Sequence, residues 1–328
     1  MKLFEYHRAA STTDAVKLLA DRPEGRYLAG GTNLLDLMKD DIQHASDIVD
    51  LTRAGMDEIR ESDGGLMLGA LVTNTDAANH PVVRGNYPLL TRAILAGATM
   101  QIRNMATTAG NILQRTRCPY FYDHATPCNK REPGTACSAI GGLNRTHAIF
   151  GASDQCVAVH PSDMAVALSA LEATVHVLGP DGATRTIPFE DFHRLPGNEP
   201  ETDNTLRRGE LIVGVHLPPA KFQKNVYYLK VRDRTSYAFA LVSVAAALHI
   251  EDGIVKEARI AMGGVAHKPW RLRSAEEMIT GKPFSRDQSE KAARAALSDA
   301  KPLEHNGYKL PLAESAIIRA LSKAAAFI

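Results

Sequence analysis

The chain carries only four cysteines, Cys118, Cys128, Cys137 and Cys156, and they crowd into one stretch with the spacing C-x9-C-x8-C-x18-C. Pro119, Pro127, Pro133, Gly134, Gly141 and Gly142 punctuate the same stretch, so it reads as a long loop. Four cysteines in 328 residues are too few for a disulfide scaffold. Four thiolates can instead hold a tetrahedral zinc ion or an iron–sulfur cluster, both of which take soft sulfur ligands. The close C-x2–4-C pairs of zinc knuckles are absent. Iron–sulfur, zinc and no metal at all remain open, and a bound metal would explain how a loop with little regular apolar pattern stays ordered. His124, His147 and His160 lie nearby as further candidate ligands, although a single histidine beside four cysteines ordinarily belongs to the core or the surface.

Charge removes other classes. Lys and Arg number 38 against 37 Asp and Glu, a formal charge of +1, so no global field favours nucleic acid or an anionic membrane as the main partner. Lys2, Glu5, Arg8 and Asp14 interrupt any apolar run at the start, and no secretory signal is read there. The longest apolar stretch, from Tyr237 to Ile250, is about 14 residues, short of the roughly 20 that span a bilayer. The expectation is a soluble chain, with export open only as a passenger on a signal-bearing partner.

The pattern predicts an α+β chain. A helix entered through Thr12-Thr13-Asp14 ends near Arg22-Pro23, and a strand over Arg26–Ala29 precedes a helix over Leu34–Lys39 and a strand over Asp47–Leu51. Further strands are predicted at Leu66–Val72, Ala173–Leu178 and Leu211–Leu217, with helices near 88–98 and 162–171. Beyond the Pro218-Pro219 turn, strands at Val226–Val231, Phe239–Ile250 and Val255–Gly263 precede helices near 285–299 and 311–325, the order of a separate α+β unit.

Two loops share a composition. Ala29-Gly30-Gly31-Thr32-Asn33 lies between a strand and a helix, and Thr107-Thr108-Ala109-Gly110-Asn111 follows later. Glycine permits positive φ and close backbone approach, while Thr and Asn add short polar groups, so each suits a phosphate or pyrophosphate. Neither is a Rossmann or Walker motif.

In order along the chain, Leu28–Leu34, Gln101-Ile-Arg-Asn104 leading to Thr107–Asn111, Pro161-Ser-Asp-Met164, Glu210-Leu-Ile-Val213, Tyr228-Leu-Lys230 and Gly263-Gly-Val-Ala266 resemble the FAD-binding medium subunit of molybdenum hydroxylases, the xanthine dehydrogenase, carbon monoxide dehydrogenase and aldehyde oxidase family. With the cysteine insertion, the chain is most similar to the medium subunit of bacterial periplasmic aldehyde oxidases, which carry an extra [4Fe–4S] cluster there. The resemblance implies a two-part FAD-binding domain (1–58, and 59–220 with the cysteine-rich insertion at 112–160) and a C-terminal α+β domain of the CO-dehydrogenase flavoprotein type (221–328). It implies FAD and a [4Fe–4S] cluster in this chain, and two partners, a small [2Fe–2S] subunit and a large molybdenum-cofactor subunit. The implied function is electron transfer, from iron–sulfur clusters through FAD to an external acceptor, in an enzyme oxidising aldehyde to carboxylic acid. The implied compartment is the periplasm by co-export, or otherwise the cytoplasm.

The resemblance also assigns residues. Tyr27, Leu28, Ala29, Gly30, Gly31, Thr32, Asn33 and Leu34 would wrap the FAD pyrophosphate, and Thr107, Thr108, Ala109, Gly110 and Asn111 would form the second loop on the same cofactor. Asp163 would accept hydrogen bonds from ribityl or neighbouring hydroxyls, Ile212 would pack near the isoalloxazine, and Lys230 would place a cation beside it. Cys118, Cys128, Cys137 and Cys156 would be the cluster ligands, and no catalytic dyad is assigned. Taken alone, Asp163 reads as a helix cap, Ile212 as a core strand residue and Lys230 as a solvated charge. Ala29 and Ala109 stand where the family commonly has Pro and Gly. A stand-alone flavin oxidase and a zinc-stabilised interaction module are the rival functions.

Overall fold

The helix–strand alternation of the first fifty residues forms a three-stranded parallel sheet, with Asp47–Asp50 in the centre between Glu5–Arg8 and Arg26–Leu28. A computed structural model describes residues 1–325; positions 326–328, the end of the expected C-terminal domain, lie outside the described residues. Helices Thr12–Ala20 and Leu34–Lys39 make the two crossovers that parallel pairing demands. The first is capped by Ser11, one residue before the expected entry: its hydroxyl accepts from the Asp14 N–H, and the Asp14 carboxylate accepts from the Ala10 N–H. Strand Glu5–Arg8 is new relative to the sequence reading, because its Glu-Tyr-His-Arg residues are polar and lie at a sheet edge.

A five-stranded antiparallel sheet follows, in the spatial order Ile59–Ser62, Gly65–Gly69, Leu211–Leu217, Thr174–Leu178, Thr184–Pro188. The strand expected to reach Val72 stops at Gly69, because the carbonyls of Ala70 and Val72 instead accept N–H groups of the second loop. Helix Asp163–Ala170 is buried at every residue, since it packs against helix Pro88–Ala96 on one side and strands of the third sheet on another.

The third sheet runs Trp270–Arg271, Ile254–Gly263, Val242–Glu251, Val226–Val231, all antiparallel. Asp252 and Gly253 both adopt positive φ and turn its central hairpin. Helices Arg273–Ile279, Arg286–Ala296 and Lys309–Ala325 cover it. Strand Val242–Glu251 begins three residues later than expected, and positions 232–241 form an irregular segment. One large core joins the first two sheets with helix Asp163–Ala170, and a second lies between the third sheet and its helices. The molecule is α+β, as expected.

Candidate functional site

Both Gly-Thr loops reach one cleft of about 540 Å3, whose wall includes Thr32, Asn33, Gly110, Asn111, Asp163 and Lys230. The first loop turns at Gly31, with φ of +70°, a region that favours glycine. A Cβ on Gly30 would sit 1.7 Å from the Met105 carbonyl oxygen, so the first loop lies directly on the backbone leading into the second. The N–H groups of Gly31, Thr32 and Asn33 have no partner among the described residues. Asn33 opens helix Leu34–Lys39 without capping it. Its Oδ1 accepts the Arg115 N–H at 2.8 Å, which fixes the amide orientation and leaves Nδ2 buried and unpartnered. Tyr27, Leu28 and Leu34 face the other way. The Tyr27 hydroxyl donates to the Gly209 carbonyl at 3.0 Å and burial pushes it above the usual phenol range, while Leu28 and Leu34 pack on Met38 and Ile48.

The second loop is held by its own backbone. Thr107 Oγ1 accepts the Gly110 N–H at 3.2 Å, the Thr108 and Ala109 N–H groups donate to Val72 and Ala70, and Asn111 N–H returns to the Thr107 carbonyl. Ala109 lies inside helix Thr108–Ile112, a conformation alanine accepts without strain. Asn111 Nδ2 donates to Asn74 Oδ1 at 2.6 Å, and its Oδ1 accepts from the Ser162 hydroxyl at 2.5 Å and Gln114 Nε2 at 3.2 Å. Ser162 Oγ also accepts the Ala165 N–H at 2.9 Å, so Ser162, not Asp163, caps helix Asp163–Ala170.

Asp163 is thereby released for the cleft. Its Oδ1 accepts from the Tyr228 hydroxyl and its Oδ2 from Lys230 Nζ, both at 2.7 Å. The Lys230 side chain is only 5% exposed and also donates to the Ala96 carbonyl at 3.2 Å, so it is no solvated charge. Its charge is matched by Asp163 rather than standing free. Tyr228 and Lys230 sit two apart on strand Val226–Val231 and therefore share a face. Burial and the Asp163 carboxylate keep the Tyr228 phenol protonated far above the usual range. Ile212 is the exception among the assigned residues. It pairs with Val177 in the five-stranded sheet, is 3% exposed, belongs to the main core and is absent from the cleft wall.

Residues 2–220 match the family described as the FAD binding domain in molybdopterin dehydrogenase, and residues 227–324 match the CO dehydrogenase flavoprotein C-terminal domain. The chain belongs to this flavoprotein family. It is 48% identical to the aldehyde oxidoreductase FAD-binding subunit PaoB of Escherichia coli (strain K12), over 99% of each chain. It is 28% identical to the glyceraldehyde dehydrogenase medium chain of Sulfolobus acidocaldarius, over 93% of this chain and 91% of that one. A solved carbon monoxide dehydrogenase from Hydrogenophaga pseudoflava superposes with a TM-score of 0.78 at 26% identity, covering 99% of this chain and 98% of that one. Among the described residues, no helix is long and apolar enough to cross a membrane.

In this member of the flavoprotein family the four cysteines converge on one small cavity. All are free thiols, with Cys128 and Cys156 buried and the other two half-buried. Cys128 and Cys137 face each other across an antiparallel backbone bridge. Cys118 Sγ lies 3.1 Å from His147 Nε2, and Cys156 Sγ lies 3.3 Å from His267 Nε2, a partner that sequence reasoning missed. Burial pushes the Cys118 thiol up to about 11. Contact with Cys156 pulls Cys137 down to about 6, and the same contact raises Cys156. No three of these sulfur and imidazole atoms lie within 4.8 Å of one another among the described residues.

The insertion also has more protein support than its sequence promised. Ile149 and Phe150 belong to the C-terminal core, and Phe150 stacks on Trp270 with ring centroids 5.0 Å apart. Fully buried Lys309 donates to the carbonyls of Thr146, His147 and Gly264, and burial lowers its ammonium to about 7. A second cavity of about 440 Å3 touches Cys118 and shares Arg117, Asp163, Arg234 and Phe239 with the cleft. Neither arginine was assigned from sequence, for each lies in irregular chain with no motif around it.

Proposed function

We propose that this chain is the FAD-carrying, electron-transferring subunit of a heteromeric molybdenum-containing aldehyde oxidoreductase, working beside a small [2Fe–2S] subunit and a large molybdenum-cofactor subunit. The observation that carries the reading is the shared cleft, where open N–H groups of the first loop, the orphaned Asn33 Nδ2 and the Asp163–Lys230–Tyr228 cluster converge. That donor set fits a dinucleotide: aligned N–H groups suit a pyrophosphate, and a fixed carboxylate suits hydroxyls. When bound, FAD supplies the exchange between electron pairs and single electrons. The protein's part is to bind and orient it: the first loop holds the anion, Asn111 and Ser162 fix the wall opposite, and the Asp163–Lys230 pair presents a charge-balanced surface. The aldehyde class is supported by the likeness to the aldehyde oxidoreductase subunit PaoB, at 48% identity over nearly the full length of both chains.

The finer part of the proposal is that Cys118, Cys128, Cys137 and Cys156 hold a [4Fe–4S] cluster. Four free thiols around one cavity are the donor set such a cluster needs. A single zinc ion bound by the same four thiolates is the alternative, and metal content separates the two. Quantifying flavin, iron, zinc and acid-labile sulfide on the purified complex tests both parts. A flavin-free complex would defeat the main reading, whereas zinc without iron or sulfide would defeat the cluster alone. Cys137→Ser should lose iron while retaining flavin. Co-export to the periplasm with a signal-bearing partner belongs to the same proposal, and cell fractionation checks it.

A further inference from the structure

A line of polar contacts leaves the cleft and ends at the cysteine cavity. Arg115 donates its N–H to Asn33 Oδ1, at 2.8 Å, and its Nε to Asp203 Oδ2 at 2.6 Å. The other oxygen, Asp203 Oδ1, accepts from Lys130 Nζ at 2.5 Å, and the same ammonium donates to the Pro200 carbonyl at 2.5 Å. Lys130 follows Cys128 by two positions, its side chain is 2% exposed, and it lines the cavity with all four cysteines. One carboxylate is thus shared between two cations. Arg115 and Lys130 against Asp203 leave one net positive charge beside the thiols.

A buried charge left unbalanced is costly, because it gives up hydration without a full partner in exchange. Lys130 shares the lining of this cavity with the four thiols, so its charge acts on them at close range. The missing counter-charge is supplied by whatever makes the four sulfurs thiolate, and a cysteine-bound iron–sulfur centre is net negative. Reduction of such a centre adds one electron and one negative charge, with no bond broken, so a neighbouring fixed cation favours the reduced form.

We propose that Lys130, oriented by Asp203, sets the reduction potential of the iron–sulfur centre held by the four cysteines, and that Asp203 partly offsets it. This rests on the cluster reading above. The test is a redox titration of the purified heteromeric complex, followed by electron paramagnetic resonance, with flavin and iron content measured on each sample. Lys130→Met removes the positive charge and leaves Asp203 paired with Arg115, so the cluster midpoint should move to more negative potential. Asp203→Asn removes the negative charge and should move it the other way. Lys130→Arg keeps the charge and should stay near wild type, and flavin content should hold throughout. Opposite shifts from Lys130→Met and Asp203→Asn support the proposal, because simple loosening of the loop would move both alike. Equal potentials at wild-type iron content, or shifts of the same sign, overturn it. Should Asp203→Asn fail to assemble, the contrast between Lys130→Met and Lys130→Arg decides by itself, and identical potentials overturn the assignment. A wild-type complex without iron and acid-labile sulfide overturns the cluster reading itself, before any variant is made.

Discussion

Two loops of nearly the same composition meet at one cleft and do different work there. In the first, Gly31, Thr32 and Asn33 keep their N–H groups free of protein partners, and Asn33 adds an orphaned Nδ2. In the second, the N–H groups of Thr108, Ala109, Gly110 and Asn111 are all committed to Val72, Ala70 and Thr107. Its contribution is a rigid short helix that aims Asn111 at Asn74, Ser162 and Gln114. The first loop keeps the open donors that an anion cradle needs, whereas the second is a strut. Glycine content does not separate them. What separates them is where each N–H finds its acceptor.

The sharpest way to break this contrast is to put a methyl group in each loop. Gly30→Ala drives a Cβ to 1.7 Å from the Met105 carbonyl oxygen, a backbone atom that cannot turn aside. The two loops must part, at a cost of about 3 kcal/mol or more, with flavin lost in the same step. At Gly110 the nearest atom is the Thr107 hydroxyl at 3.0 Å, a side chain free to rotate. Gly110→Ala should therefore cost no more than about 1 kcal/mol, the size of one capping bond. Denaturant unfolding of both variants checks this, and equal costs would show that both loops are packed alike.

Acid should act on the strut from behind. His193 Nε2 donates to the Ile112 carbonyl at 2.8 Å, at the end of the second loop's helix, and burial lowers its imidazole to about 4. The unfolded histidine titrates near 6.5, so below that pH the unfolded chain binds a proton that the folded chain refuses. The stability is complete above about 6.5 and is lost as pH falls towards 4, by about 2 kcal/mol between pH 7 and pH 5 for this one group. His193→Gln should flatten part of that slope. An unchanged slope would move the acid sensitivity elsewhere.

Much of this was legible in the chain itself. The helix–strand alternation, the Gly-Thr loops and the crowded cysteines are local patterns, and local patterns survive without tertiary information. What escaped was set by long-range pairing. Strand Glu5–Arg8 is polar because it is an edge, and only its register with Asp47–Asp50 makes it a strand. Ile212 is buried beside Val177 next to a register shift at His176/Val177, a packing that its local motif does not show. Lys230 read alone as a solvated charge because its partner lies 67 positions away. The Arg115–Asp203–Lys130 line joins three separate segments, and no spacing along the chain announces it.

The cradle can be sharpened by one isosteric change. Asn33→Asp keeps the oxygen that accepts the Arg115 N–H and replaces the orphaned donor with a negative oxygen at a residue of the cleft wall. Facing a pyrophosphate, it should weaken FAD binding roughly tenfold or more, equivalent to about 1.4 kcal/mol or more. Titration of the flavin-depleted complex with FAD measures it, and unchanged affinity would place the pyrophosphate away from the first loop.

The smallest expected effect bears on Ala109. If the second loop bound its ligand through strained backbone, restoring glycine at position 109 should improve flavin affinity. The geometry argues otherwise: Ala109 is helical, 9% exposed, and its N–H is already bonded to Ala70 at 3.0 Å. In a helix, glycine in place of alanine costs about 1 kcal/mol through the entropy of the unfolded chain. Ala109→Gly should therefore lower the unfolding free energy by about that amount and leave FAD affinity as it was. A gain in affinity would mean that the second loop is also a cradle, and that the alanine narrows it.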